Sequence, residues 1–378
     1  MKILVISHFQ GEGLPTAIFV FDQARAYREK GADVRILIPV PWGKRDYFGR
    51  RLNRRLTETT VDGIPCLFVR YLSLSNPGER GFNAASGIRA IRLVFDRLFS
   101  DFSPDLIQAH TLGFDSTLGN WLKRRFRCPL VLTTHGSDTS LPYARGERES
   151  LRAFCKGADA VVCVSGKLKR QLTDCGVEEP LHVISNGFRL RAQPQRTPSG
   201  YDWIQVGNLL PQKHVDTTLR AFRAFRERYP QAICRIVGQG PEQKRLKALC
   251  RELGIEDSVR FLGQLKNSRV LEELSGSRFF VMISHPEGFG VAYLEAMSSG
   301  CITIGTQGEG IADVIENGVN GFLVAPDDAE AAASAALRCA ADPEAGAELS
   351  LRAAETARSL TWQENANQYM RLFEELVF

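Results

Sequence analysis

The chain has no apolar run approaching the ~20 residues that cross a bilayer, which argues against a spanning helix. Its nine cysteines, at 66, 128, 155, 163, 175, 234, 250, 301 and 339, form no CxxC. Several sit in apolar strand contexts, such as Cys163 in AVVCVS and Cys234 in AICRIVG. They read as reduced core thiols of a cytoplasmic protein, not as disulfides or a zinc site. No cluster has zinc spacing, and no DxD is available to hold Mg²⁺ on a diphosphate. The absence of GxSxG argues against an α/β hydrolase. No GxGxxG with a following ribose-binding acid appears at the first strand, which argues against a nicotinamide enzyme. There is no low-complexity tract, and the opening MKILVISHF reads as a short strand rather than a signal peptide.

What is present is an ordinary globular composition, 44% hydrophobic and 24% charged, in 378 residues, enough for about two domains. Charge is unevenly spread. Residues 1–190 carry 28 Lys and Arg against 19 Asp and Glu, a net +9, and the remainder carries −4. The excess clusters at Lys44, Arg45, Arg50, Arg51, Arg54 and Arg55, and at Lys123, Arg124, Arg125 and Arg127. Such clusters serve as a solvated face, or attract an anionic membrane surface or acceptor. Without interleaved aromatics or a recognised module, nucleic acid is not an expected partner.

Along the chain, KILVISHF, DVRILIPV, LIQAH, LVLTTHG, AVVCVSG and LHVISNGF read as strands. Helical patterns such as IFVFDQARAYREKG and IRAIRLVFDRLFSDF fall between them. That alternation predicts α/β units with parallel sheets. Arg189–Asp202 is polar, carries two prolines and reads as a linker. A second alternating unit starts at Trp203, and the chain closes on an amphipathic helix with Met370, Leu372, Phe373, Leu376 and Val377 as its apolar residues.

The most informative stretch is His285–Pro326, which sets Glu287 and Glu295 eight positions apart around a glycine turn that opens a helix. Read as helix throughout, eight residues span about 12 Å, the reach from a sugar across a diphosphate to a ribose. Unpaired amides at Gly288, Phe289 and Gly290 favour an anion between them. Ordinary capping and dipole effects also place glutamates this way. Lys213 stands just before another helix start, where a cation is unfavourable unless an anion sits beside it. Its bland reading is a solvent-facing lysine. Gly238 and Gly240 in VGQGPE fit a tight turn as well as a ligand loop.

HPEGFGVAYLEAMSSGCITIGT closely resembles the E-x7-E signature of retaining glycosyltransferases of family 4, which have the GT-B fold, and GVNGFLVAPDD resembles the segment after that signature in the family. The resemblance covers nearly the whole chain. It implies two facing Rossmann-like domains, an acceptor-binding one at 1–190 and a nucleotide-sugar-binding one at 191–360. Residues 361–378 would form a helix crossing back to the first. By resemblance, Glu287 holds sugar hydroxyls and Glu295 the ribose. Lys213 and the Phe289–Gly290 amides hold the diphosphate, with Gly288 and Val291 beside them. His135, in LTTHGSD, positions the sugar. Gly13, Gly238 and Gly240 approach the donor, and Gln264 and Leu265 lie near the base. Asn208 stands where the family commonly has arginine, replacing a charge by a neutral donor. His110 has an acceptor-side or a structural role.

The implied activity is metal-independent transfer of a hexosyl or N-acetylhexosaminyl group, with a nucleotide-diphosphate sugar as substrate and no cofactor. The basic first half and the apolar entry TAIFVF point to a lipid-linked glycan acceptor in surface polysaccharide assembly, at the cytosolic membrane face, with a small soluble acceptor as the alternative. Three other readings are a non-catalytic sugar-nucleotide-binding relative, a nucleotide-sugar epimerase and a phosphorylase.

Overall fold

The computed structural model describes residues 1–8, 18–42, 56–73, 80–190 and 200–378. The glycine loop with Gly13, the basic run from 44 to 55, the TA of TAIFVF and residues 191–199 of the expected linker lie outside the described residues. The chain divides into two compact units, Met1–Gly187 with Trp362–Phe378, and Phe188–Thr361.

The first unit is built on strands β1 (Lys2–Ile6), β2 (Asp33–Trp42), β3 (Leu56–Val61), β4 (Ile64–Leu72), β5 (Leu106–His110), β6 (Leu130–Thr134), β7 (Ala160–Cys163) and β8 (Leu181–Val183). They lie in the order β3-β4-β2-β1-β5-β6-β7-β8. Every pair is parallel except the hairpin β3–β4. β5, β6 and β7 are buried along their whole length, as strands covered by helices on both faces must be. The hairpin turns on Asp62 and Gly63, with φ of 50° and 78°, the left-handed pair a two-residue turn of this kind requires. The strand pattern in the sequence did not single this hairpin out, because β3 is a mostly exposed edge strand with polar residues on both faces.

The second unit carries β9 (Trp203–Val206), β10 (Cys234–Val237), β11 (Val259–Gly263), β12 (Phe279–Val281), β13 (Ile302–Thr306) and β14 (Phe322–Val324). Their order is β11-β10-β9-β12-β13-β14, parallel throughout. Trp203, Phe222, Phe225 and Phe279 form an aromatic core beneath the sheet, with ring centroids 5.3–6.0 Å apart. All nine cysteines are free and buried.

One helical expectation needs correction. The pattern from 88 to 102 is not one helix but the end of Arg80–Arg92 followed by Phe95–Phe99. The break at Val94 lets Phe95 pack on Phe126 and on the edge of Trp121, at 5.5 and 6.1 Å. The last helix, Trp362–Val377, buries Trp362, Asn365, Ala366, Tyr369, Leu372 and Phe373. Met370, Leu376 and Val377 are only partly covered. Tyr369 and Phe373 pack on Tyr27 at 6.0 and 5.6 Å, and Gln23 donates to Asn365 at 2.8 Å. Two aromatic rings buried in this way contribute roughly 2–3 kcal/mol each, enough to hold the helix to the first unit.

Both sheets reverse their strand order at the first strand of the unit. β1 lies between β2 and β5, and β9 between β10 and β12. In open sheets of this kind ligands bind beyond the carboxyl ends of the strands flanking such a point.

Candidate active site

In the second unit the β9 and β12 ends bring Lys213 and Glu287 together. Lys213 ends a short 3-10 turn, Pro211–Lys213, and helix Val215–Arg226 starts two residues later. The anion that a lysine at a helix start needs is the Glu287 carboxylate, to which its Nζ donates. The same carboxylate accepts from Ser284 Oγ at 3.0 Å and from the Gly288 N–H at 3.2 Å. An ammonium has three N–H groups, so two remain for a further anion.

The helix behind Glu287 runs only from Val291 to Ser298, capped by Gly290 at φ 83°. The glutamate spacing is therefore not eight helical steps. Helical rise covers the four from Val291 to Glu295, about 6 Å, and the irregular turn sets the remainder. That turn is held from behind. Glu309, buried after β13, accepts the Glu287 N–H. A Cβ on Gly310 would lie 1.9 Å from the Gly288 oxygen, so this approach needs glycine. Phe289 is core, leaving only its backbone for a ligand. Glu295 Oε1 accepts from Asn267 Nδ2 at 2.8 Å. Asn208 is exposed, and no bond to its side chain occurs among the described residues.

Gly238 and Gly240 have a packing role that needs no ligand. A Cβ would meet the Gly207 oxygen at 1.9 Å and the Leu209 oxygen at 2.3 Å respectively. The β10 loop thereby supports the β9 loop that carries Asn208 and Lys213. Gln264 is exposed and accepts from Gln239 at 2.9 Å, and Leu265 is half-buried beside it.

In the first unit the β5 and β6 ends join His110 and His135. His110 Nδ1 and His135 Nε2 are 2.9 Å apart, with nearly coplanar rings and Phe19 packed on His135 at 4.5 Å. Burial holds His110 well below the usual imidazole range and lowers His135 to about 4. Both are neutral at pH 7, so one shared proton links their tautomers. His110 Nε2 and His135 Nδ1 are buried with no partner among the described residues. Asp138 shapes this corner by accepting the His135 and Gly136 N–H groups at 3.0 and 2.9 Å and the Leu112 N–H at 2.8 Å.

The sequence reading passed over Asp138, Asp115, Ser284, Asn267 and Glu309. Asp138 carried a local signal, an acid three residues beyond a strand-end histidine, fit to accept the turn's own amides. Glu309 and Asn267 carried none, since their partners lie 22 and 28 residues away. Among the described residues no group of three or more His, Cys, Asp or Glu is placed to hold a metal.

Residues 189–359 match the family model for glycosyl transferases group 1, and residues 16–191 match that for glycosyltransferase family 4. The chain is 32% identical to a D-inositol 3-phosphate glycosyltransferase of Saccharomonospora viridis, over 72% of this chain and 70% of the relative. It is 26% identical to the lipopolysaccharide core biosynthesis glycosyltransferase LpsD of Rhizobium meliloti, over 99% and 98%. Against an exopolysaccharide phosphotransferase of Streptomyces coelicolor it is 29% identical over 61% of this chain, but spans only 25% of that protein's length. Sucrose-phosphate synthase from Thermosynechococcus elongatus shares the fold at TM-score 0.80 and 21% identity, covering 99% of this chain and 98% of that one. Anabaena HepE, solved with UDP and glucose, does so at 0.73 and 20%, with full coverage of both chains.

Proposed function

The chain belongs to the group 1 glycosyltransferases of family 4 and has their GT-B fold, and we propose that it transfers a hexosyl or N-acetylhexosaminyl group from a nucleotide-diphosphate sugar to an acceptor hydroxyl with retention at the anomeric carbon. The observation that carries this reading is the Lys213–Glu287 pair at the β9 and β12 ends, with Glu295 on the helix that begins at Val291.

The acceptor oxygen attacks the anomeric carbon on the face from which the diphosphate departs. The new C–O bond forms as the C–O bond to phosphate breaks, and the hydroxyl proton passes to a phosphate oxygen. Negative charge grows on that phosphate. We assign its stabilisation to Lys213 and the Phe289 and Gly290 amides, in place of a metal ion in the proposed reaction. Glu287 accepts from sugar hydroxyls, and Glu295, steadied by Asn267, from the ribose. Asn208 adds a neutral donor to the diphosphate, and Gln264 and Leu265 lie toward the base. In the first unit, neutral His135 hydrogen-bonds the sugar, and His110 sets its tautomer.

The acceptor we propose is a lipid-linked glycan of surface polysaccharide assembly, met by a peripheral enzyme at an anionic, cytosolic membrane face. Support comes from the basic first half and the lipopolysaccharide-core relative. The test is nucleoside diphosphate release from a panel of UDP-, GDP- and ADP-sugars, with and without EDTA, plus NMR assignment of the product anomer. An α-linked product from an α-linked donor, unaffected by EDTA, is the expected result. An inverted product would sink the mechanism. Release of an altered nucleotide sugar without acceptor would point to the epimerase reading instead.

A further inference from the structure

Beside β1 the first unit holds a cavity of about 540 Å³ that the donor chemistry leaves unused. His8, Tyr71, Ile88, Phe114, Thr117 and Phe154 are among its walls. It gathers the ends of β1, β2 and β4 with the start of helix Phe114–Phe126, next to the point where the strand order reverses. The volume is that of a small-ligand pocket.

The apolar wall is constructed. Tyr71 stacks on Phe114 at 4.7 Å with the rings 18° from parallel. A Cβ on Gly87 would stand 2.5 Å from Phe114 Cζ, so the ring keeps its seat only because residue 87 is glycine.

One polar device faces this wall. Asp115 is fully buried and accepts from His8 Nδ1 at 2.9 Å, from the His8 N–H at 3.3 Å and from Thr111 Oγ1 at 3.1 Å. The pair fixes the His8 ring by one nitrogen. Nε2 has no bond among the described residues, and 29% of the side chain remains exposed. The Asp115 charge outweighs burial and raises the His8 pKa above its ordinary value, which widens the pH range over which Nε2 carries a proton and can donate.

We propose that this cavity receives the sugar-proximal apolar carbons of the acceptor's lipid, for which aryl and short alkyl groups stand in as probes, while His8 Nε2 hydrogen-bonds the oxygen between them and the sugar. The assignment rests on the glycosyltransferase reading, since only a transferase has an acceptor to place.

The probes are phenyl, hexyl and methyl β-glucopyranosides, titrated calorimetrically into the full chain, with thermal shift by nucleoside diphosphates followed in parallel. Phenyl and hexyl glucosides are expected to bind at least tenfold tighter than the methyl one. Ala84→Phe, which fills the cavity, is expected to abolish that preference, and His8→Asn to weaken phenyl glucoside binding about fivefold. Both variants should keep the wild-type nucleotide shift, which also shows that they fold. Equal binding of all three probes, no binding at all, or a preference that survives Ala84→Phe would overturn the cavity assignment and leave the donor reading standing. A preference intact in a protein that no nucleotide stabilises would overturn the acceptor role itself.

Discussion

The two units solve the same problem, a ligand site at the carboxyl ends of a parallel sheet, with opposite chemistry. The second uses partly buried charge and glycine: Lys213 against Glu287, Glu295 on a helix, and backbones pressed together at Gly238, Gly240 and Gly310. The first uses buried neutrality: two imidazoles sharing one proton, a carboxylate sealed beneath His8, and a cavity walled by aromatic rings. A charged leaving group needs the chemistry of the second unit. Uncharged hydroxyls need that of the first.

The contrast is tested most severely at its charges. Lys213→Ala is expected to lower turnover by about 10²–10³, the cost of removing a preorganised donor to a developing negative charge. Glu287→Gln, which keeps the shape and removes the carboxylate's acceptance from two sides, should cost about tenfold less. Steady-state nucleotide release measures both, and equal small losses would show that the pair is merely structural.

Next comes the backbone. Gly238→Ala would place a Cβ 1.9 Å from the Gly207 oxygen at φ 128°, and should destabilise the second unit by roughly 3 kcal/mol or more. Gly31→Ala, at φ 86° with nothing within 4 Å of the new carbon, should cost about 1–2 kcal/mol. Thermal melts of the two variants would separate a collision from simple left-handed strain.

The first unit should respond to acid. His110 and His135 are depressed in the fold, so the unfolded chain binds more protons as pH falls below about 6.5. Their contribution is present above that pH and is lost as pH falls through the folded values, with the drop to about 4 at His135 alone worth about 3 kcal/mol. His8 has the opposite sign: its folded pKa is raised, so its stabilisation is present below pH 6.5 and fades as pH rises through the folded value. Melting temperature against pH, for wild type and His110→Gln/His135→Gln, should show a shallower acid limb in the double variant. Identical limbs would mean that the pair is not buried neutral.

The smallest effect concerns Asn267→Ala. It removes one hydrogen bond to Glu295 and should weaken nucleotide binding about five- to tenfold, near 1 kcal/mol, with little change in maximal rate.

The contrast between the units also explains what could be read in advance. Glu287, Glu295 and the glycine turn are close in sequence, so one 42-residue stretch displayed them together. Parallel strands such as β5 and β6 announced themselves as short apolar runs, because both of their faces are covered. His8 and Asp115 are 107 residues apart and meet only because β1 and β5 are neighbours in the sheet. The polar members of the last helix's buried face were not legible for a related reason. Tyr369 and Asn365 look polar, and their partners Thr133 and Gln23 lie more than 200 residues away. The eight-residue glutamate interval misled in a smaller way, since half of it is an irregular turn whose shape is set by Glu309.

The most direct measurement is a thermal-shift titration of wild type and Glu295→Gln with UDP, GDP, ADP and their sugar conjugates, each with and without Mg²⁺. A ligand at 100 times its dissociation constant adds about 2.7 kcal/mol to the native state. One nucleotide should stabilise the wild type selectively, need no Mg²⁺ and lose most of its effect in Glu295→Gln. Stabilisation by no nucleotide, or an undiminished shift in the variant, would contradict a donor site built on Lys213, Glu287 and Glu295.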